Sequence, residues 1–134
     1  MNAFYLKTIK SFLLVILLGL STAFAQTEIP AVQDLKQENF KQVKEKEAAI
    51  VIDVRTEEEI AAGYLPGTSV FADVNAADFE KKIDLLDKDK TYIVYCRSGG
   101  RSSRAAGIML KKGFKHVYNL NGGISNWKGE IIKK

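Results

Sequence analysis

The residue best suited to covalent chemistry in this sequence is its single cysteine, Cys96. It opens the run Cys-Arg-Ser-Gly-Gly-Arg at residues 96–101, directly after an apolar segment and directly before a helical pattern. The backbone N–H groups at the start of a helix attract anions, and a thiolate is an anion. The two glycines allow the backbone to curl so that several N–H groups face the sulfur. The spacing therefore predicts a nucleophilic thiolate with a lowered pKa.

The residues that follow Cys96 are expected to bind the substrate. Arg97 and Arg101, with Arg104 behind them, add positive charge that favours the thiolate and attracts an anionic substrate. We expect Arg97 to point outward. The backbone N–H of Arg101 is expected to complete the ring of N–H groups, and its side chain either to brace the loop or to meet the anionic substrate. A cysteine at a strand end can also be a small buried hydrophobe, but that role requires neither the glycine pair nor two arginines. The predicted substrate-binding residues are Arg97, Ser98, Gly99, Gly100, Arg101 and Ser102.

The counts of cysteine and histidine exclude several other kinds of site. One cysteine cannot form an internal disulfide, build a zinc site on paired cysteines, or supply the second thiol of a thiol-disulfide oxidoreductase. The one histidine, His116, leads into a segment that we interpret as an edge strand at the surface. With no other histidine to act as a general base on Cys96, a cysteine protease triad is excluded. We expect neither a metal ion nor a cofactor.

The cysteine loop must be held by strands and helices, and the hydrophobic pattern predicts them. Residues 50–54 and 92–95 are continuous apolar, β-branched and aromatic runs, typical of parallel strands covered on both faces. Residues 116–120 are a further short strand, followed by a last helical turn around Trp127. Helices are predicted over residues 37–46, 57–62 after a capping Thr56, 78–86 and 102–112.

This order of elements predicts an α/β fold, an open parallel sheet with helices on both faces and right-handed crossovers. In such sheets ligands bind at the carboxyl ends of the strands. Cys96 directly follows the strand predicted at residues 92–95. The elements therefore place the cysteine at the edge of the sheet where ligands bind.

Three motifs, in order, resemble those of the rhodanese family of sulfurtransferases. The run at residues 96–101 resembles the family's six-residue active-site loop. Asp-Val-Arg at residues 53–55, followed by Gly-Tyr-Leu-Pro-Gly at residues 63–67, resembles its first motif, and residues 117–124 with Trp127 resemble its C-terminal motif. Tyr64 stands where the family usually has histidine, and Val70 where asparagine is common. These departures bear on substrate preference rather than on fold.

The resemblance implies a rhodanese-like domain that transfers sulfur through a persulfide on Cys96. The donor would be thiosulfate or another persulfide, and the acceptor cyanide or a thiol. In related enzymes a positively charged loop accompanies thiosulfate, so Arg97 favours that donor. Asp53 and Arg55, in the first motif, are expected to support the site by bracing the following helix through Glu58 or Glu59.

Two other functions remain as alternatives. One is a rhodanese-like module that carries sulfur or binds a partner without catalysis, against which the intact Cys96 argues. The other is a cysteine phosphatase or arsenate reductase, which also places a thiolate in an anion-binding loop. The phosphatase pattern needs five residues between cysteine and arginine, but only four separate Cys96 from Arg101, and Ser102 occupies the position of that arginine.

The N-terminal residues 1–25 have the pattern of a secretion signal. Lys7 and Lys10 precede an apolar run at residues 12–20, and Ala23 and Ala25 are the small residues that a signal peptidase reads. We expect cleavage near Ala25 and an exported domain, periplasmic or secreted, over residues 26–134, with no stable membrane span after processing. An uncleaved N-terminal anchor is the alternative.

Length and charge narrow the possible functions further. The 134 residues suit one domain, and 46% hydrophobic with 27% charged residues is the composition of a folded globular chain. The formal net charge of +4 includes two lysines of the predicted signal. The remaining eighteen basic residues nearly balance the sixteen acidic ones and form no basic stripe, so we expect no nucleic-acid binding.

Overall fold

A computed structural model describes residues 30–133 of the chain. The predicted signal, residues 1–25, lies outside this part and stays a prediction. The strands are β1 (Gln33–Leu35), β2 (Ile50–Asp53), β3 (Thr68–Phe71), β4 (Thr91–Tyr95) and β5 (His116–Leu120). The α-helices are α1 (Phe40–Lys46), α2 (Glu57–Ala61), α3 (Phe79–Asp84) and α4 (Gly100–Lys111), and 3-10 turns cover Gln37–Asn39 and Gly123–Asn126.

The five strands form one parallel sheet in the order β1-β5-β4-β2-β3. All five residues of β4 are buried, as the continuous apolar run predicted for a central strand. The predicted edge position of the strand after His116 is wrong, because β5 lies between β1 and β4. The edges are β1 and β3, which the sequence analysis missed. β1 has only three residues and one buried side chain, too short a pattern to detect.

Two hydrophobic cores cover the two faces of the sheet, which confirms the predicted layering. The helices α3 and α4 pack on one face, where the core includes Ile52, Phe79, Val94, Met109 and Phe114. The helix α1 and the second 3-10 turn pack on the other face, where Phe40, Ile93, Tyr95 and Leu120 are buried and Trp127 stacks edge-on against Phe40. Alternation along each strand sends neighbouring side chains to opposite cores.

The helices differ from the prediction mainly at their ends. The helix expected from Ser102 begins two residues earlier, at Gly100, and the helix expected over residues 37–46 is a 3-10 turn followed by α1. Thr56 caps α2 as predicted: its hydroxyl accepts from the Glu59 N–H, and the Glu59 carboxylate accepts from the Thr56 N–H. In residues 30–133 no helix has the length and hydrophobicity to cross a bilayer.

Candidate active site

Cys96 lies between the end of β4 and the start of α4, as the sequence predicted. Its side chain is buried, with 1% of its surface exposed, while Arg97, Ser98 and Gly100 in the loop after it are exposed. Gly99 precedes the helix with φ of +116°, a conformation that side-chain-bearing residues rarely adopt. This turn directs the backbone N–H of Gly99 at the Cys96 sulfur, 3.1 Å away.

Hydrogen bonds set the pKa of the Cys96 thiol. Burial raises this pKa, but hydrogen bonds from the Ser102 hydroxyl and from the N–H groups of Ser102, Gly99 and Ser98 outweigh that cost, and the pKa lies below its ordinary value. The arginines of the loop were expected to share in this effect, but hydrogen-bond donors supply the largest lowering contributions. The pocket therefore stabilises an anionic sulfur chiefly through neutral N–H and O–H groups.

A chain of polar side chains leads away from the sulfur across the sheet. The Ser102 hydroxyl lies 3.4 Å from the Cys96 Sγ and 2.6 Å from the Oδ1 of Asn119 on β5. The Nδ2 of Asn119 donates to the carboxylate of Asp34 on β1, at 3.2 Å. Ser102 is completely buried and Asn119 is 6% exposed. The sequence analysis missed Asn119 and Asp34, although a polar residue inside an otherwise apolar strand was a visible signal.

The 3-10 turn after β5 supports the loop from behind. The N–H groups of Ile124 and Ser125 donate to the carbonyls of Cys96 and Arg97, at 3.0 and 2.9 Å. Gly123 has φ of +53°, and a Cβ placed there would lie 2.4 Å from the Cys96 carbonyl oxygen. Only glycine allows so close an approach of the backbone to the cysteine loop.

The arginines of the loop have different surroundings. Arg101 donates from both terminal nitrogens to the two carboxylate oxygens of Glu59 on α2, each at 2.7 Å, and this pair lowers the pKa of Glu59 to about 2. Arg101 therefore braces the loop against α2, one of the two roles expected for it. Arg97 is exposed, as predicted. Arg104 donates to the side chain of Asn75.

Asp53 and Arg55 form a buried pair at the end of β2. Arg55 Nη2 lies 2.7 Å from Asp53 Oδ2 and also donates to the Gly63 carbonyl at 2.7 Å. The guanidinium lies over the ring of Tyr95, 5.8 Å from its centre. The predicted contact of Asp53 and Arg55 with Glu58 or Glu59 is wrong. Glu59 binds Arg101, and Arg55 instead anchors the segment that leads to β3.

The two departures from the family pattern lie close together: Tyr64 comes shortly before β3, and Val70 lies within it. The ring of Tyr64 packs edge-on against Phe71, and its backbone exchanges two hydrogen bonds with Ile132. Val70 belongs to β3 itself and pairs with Ile52 of β2. In residues 30–133 no cluster of His, Cys, Asp and Glu side chains is arranged to hold a metal ion.

The fold and site define a parallel α/β domain with a buried cysteine whose sulfur accepts hydrogen bonds from the loop after it, and comparison with known proteins assigns its family. The family model of the rhodanese-like domain matches residues 36–130, so the chain belongs to the rhodanese family. Across 105 residues it is 38% identical to the protein YtwF of Bacillus subtilis, covering 75% of this chain and 98% of YtwF.

Two further comparisons agree. Across 87 residues the chain is 37% identical to the thiosulfate sulfurtransferase GlpE of Pseudomonas fluorescens, covering 65% of this chain and 77% of GlpE. The fold matches the crystal structure of a rhodanese-like domain protein from Staphylococcus aureus with a TM-score of 0.67 and 24% identity, over 77% of this chain and 99% of that one. The homologues therefore include named sulfurtransferases.

Proposed function

We propose that this protein is a sulfurtransferase that moves a sulfur atom from thiosulfate, or from a persulfide, to cyanide or a thiol through a persulfide on Cys96. The observation that carries the proposal is the placement of the Cys96 sulfur at the start of α4, 3.1 Å from the Gly99 N–H and with its pKa lowered by hydrogen bonds. A thiolate at neutral pH is the nucleophile that such a reaction requires.

The reaction proceeds in two balanced steps. The Cys96 thiolate attacks the outer sulfur of thiosulfate; a bond forms between the two sulfurs, the bond to the sulfonate sulfur breaks, and sulfite leaves with that electron pair. Cyanide or an acceptor thiolate then attacks the outer sulfur of the persulfide, taking that atom and releasing the Cys96 thiolate. The loop N–H groups stabilise the negative sulfur in both steps without needing to reorganise.

The charges around the loop support an anionic donor. Arg97 is exposed beside the buried Cys96, whereas the charge of Arg101 is largely compensated by Glu59 at 2.7 Å. A doubly charged donor such as thiosulfate therefore meets Arg97 first, while Arg101 serves to hold the loop. This division makes Arg97 the residue that recruits the donor and Cys96 the residue that reacts with it.

Thiocyanate production from thiosulfate and cyanide tests the proposal. The wild-type protein is expected to turn over, and Cys96→Ser is expected to lose all turnover while keeping its circular dichroism spectrum, because a serine hydroxyl is a far weaker nucleophile at neutral pH. Lys111→Ala, a change at an exposed residue in the last turn of α4, far along the helix from the loop, is the control and should keep wild-type turnover. Comparable turnover in Cys96→Ser and wild type would overturn the proposal, and no turnover in the wild type would favour a non-catalytic module.

A further inference from the structure

The chain of side chains from Cys96 to Asp34 crosses two strands of the sheet. Ser102 on α4 joins the sulfur to Asn119 on β5, and Asn119 joins Ser102 to Asp34 on β1. Asp34 and Asn119 are register partners in the β1–β5 pairing, so the backbone fixes their separation. Ser102 and Asn119 are buried, and buried polar groups keep a defined hydrogen-bond direction because each unsatisfied group would be costly.

The direction of these hydrogen bonds follows from the chemistry at the outer end. An ionised carboxylate only accepts hydrogen bonds, so Asp34 requires the Nδ2 of Asn119 to face it. The amide therefore presents its Oδ1, an acceptor, to Ser102. The Ser102 hydroxyl has a single proton and three acceptors within reach, namely Asn119 Oδ1 at 2.6 Å, the Gly99 carbonyl at 3.1 Å and the Cys96 Sγ at 3.4 Å.

We propose that Asn119, oriented by Asp34, is a positioning residue that draws the Ser102 proton away from the Cys96 sulfur and so keeps the thiolate more nucleophilic than the loop alone would leave it. The 2.6 Å bond to Asn119 Oδ1 is at the short end of the O–H···O range, whereas the 3.4 Å distance to the larger sulfur atom is an ordinary O–H···S length, so the amide is the preferred of two competing acceptors. The inference rests on the proposed function and adds to it a source of control over the nucleophile.

Limiting the hydrogen bond from Ser102 would help the reaction because the rate of a thiol depends both on how much of it is ionised and on how nucleophilic the thiolate is. A lower pKa increases the thiolate fraction, but the intrinsic nucleophilicity of a thiolate falls with its pKa, with a Brønsted slope of about 0.4–0.5. The Ser102 hydroxyl and the N–H groups of the loop already lower the pKa of Cys96. A Ser102 proton given to the sulfur alone would lower it further and slow the attack, and Asn119, which shares that proton, limits the loss.

The charged groups near the sulfur set the background for any pKa measurement. Arg101 interacts with the Cys96 thiolate and is itself bound to Glu59 on α2, with Asp73 also near it. On the β1 side, Asp34 lies at the outer end of the chain. Removing Asn119 leaves the charges of Arg101, Glu59, Asp73 and Asp34 in place and changes only the hydrogen bonding of Ser102 and Asp34.

The pH dependence of Cys96 alkylation by iodoacetamide tests the inference on the full-length protein. In Asn119→Leu the Ser102 hydroxyl has lost its preferred acceptor, so the thiol pKa is expected to fall by roughly half a unit to one unit. The limiting alkylation rate at high pH should fall roughly twofold to threefold. Ser102→Ala removes the donor and should raise the pKa, and the double variant should match Ser102→Ala alone.

Asp34→Asn tests the outer end of the hydrogen-bonded run from Cys96 to Asp34. Because Asp34 is exposed, this variant is expected to fold, and it keeps the inference falsifiable if Asn119→Leu does not fold. An asparagine at this position can accept or donate, so the Asn119 amide is free to turn, and the thiol pKa should fall. The same substitution in a Ser102→Ala background separates orientation from charge. A fall that persists there is an effect of charge alone and would overturn the role of Asp34.

The outcomes separate this inference from the proposed function. An unchanged or raised pKa in Asn119→Leu, with sulfur transfer by the wild type intact, overturns the inference alone. The expected pKa changes in a protein that produces no thiocyanate would leave the inference standing and remove the sulfurtransferase. If Asn119 had only a structural role, Asn119→Leu would lower the stability of the protein but would not lower the thiol pKa. Ser102→Ala would still raise that pKa.

Discussion

The ends of β2 and β4 lie side by side in the sheet, with Asp53 paired to Tyr95, yet they serve different purposes. At the end of β2, Asp53 and Arg55 are buried and bind each other. At the end of β4, the buried Cys96 faces hydrogen-bond donors, and the loop after it is exposed. The Asp53 carboxylate is matched by a charge of opposite sign, which suits a structural role, whereas the Cys96 sulfur is held by uncharged donors, which suits the reactive role that we propose for it.

The largest expected effect on stability comes from separating the Asp53–Arg55 pair at the end of β2. Arg55→Ala leaves the Asp53 carboxylate buried without its cation, so the free energy of unfolding is expected to fall by about 3–5 kcal/mol. Urea denaturation measures the change. Arg97→Ala, at an exposed position, is the control and should stay within about 0.5 kcal/mol of wild type. A loss below about 1 kcal/mol in Arg55→Ala would contradict a structural role for the pair.

Adding a methyl group at Gly123 tests whether the cysteine loop at the end of β4 must keep its position. Gly123→Ala forces a Cβ to within 2.4 Å of the Cys96 carbonyl oxygen at a positive φ. The free energy of unfolding should fall by about 1–3 kcal/mol, and kcat should fall about tenfold because the N–H groups move away from the sulfur.

Gly107→Ala is the matched glycine control on α4. A Cβ at Gly107 meets no heavy atom within 4 Å, and helix propensity favours alanine by up to about 1 kcal/mol. This variant should be as stable as wild type or more stable, with unchanged kcat. Equal effects of the two substitutions would show that the close approach of Gly123 to the loop is not required.

The two loop arginines provide a finer test within the end of β4. Arg97→Ala should raise the thiosulfate KM about tenfold in a salt-sensitive way, which corresponds to one charge interaction of about 1.4 kcal/mol. Arg101→Ala should instead lower kcat, because the loop loses its two hydrogen bonds to Glu59. Steady-state kinetics at two ionic strengths measure both effects, and an identical change in KM alone for the two variants would contradict the division of roles.

The smallest expected effect concerns the acid stability of the Glu59–Arg101 pair. The pKa of Glu59 falls from 4.5 to about 2 because Arg101 binds it, so the folded protein holds this carboxylate ionised more readily than the unfolded chain does. The stabilisation is present above pH 4.5 and is lost as the pH falls towards 2. Glu59 is partly exposed, so Glu59→Gln should cost only about 1 kcal/mol at pH 7.

Urea midpoints at pH 7 and at descending acid pH values measure this difference. The gap between wild type and Glu59→Gln should narrow as the pH falls below 4.5. Glu58→Gln, at the exposed neighbouring position on α2, is the control and should show no such narrowing. A gap that stays constant down to the lowest measurable pH would contradict the ion pair as its source.

The sequence predicted correctly those features that depend only on residues close together in the chain. The apolar run of β4, the Thr56 cap and the glycines of the loop each lie within a few residues, and the structure confirms the central strand, the cap and the position of Cys96 between strand and helix. The outward position expected for Arg97 also agrees with the structure, where this residue is exposed.

The contacts that the sequence analysis missed join residues far apart in the chain. Glu59 and Arg101 are 42 residues apart, and Asn119 and Asp34 are 85 apart, so no local pattern links them. Their pairing depends on the order of the strands, and the edge strand β1 was too short to predict. The predicted edge position of β5 was wrong for the same reason, since β1 covers its outer side.

Mass spectrometry of the intact protein after exposure to thiosulfate tests the central claim most directly. The account predicts that the wild type gains the mass of one sulfur atom, that peptide mapping places this atom on Cys96, and that cyanide removes it. Cys96→Ser should gain nothing under the same conditions. A wild-type protein that transfers sulfur without this gain, or a gain at any other residue, would contradict a mechanism that passes through a Cys96 persulfide.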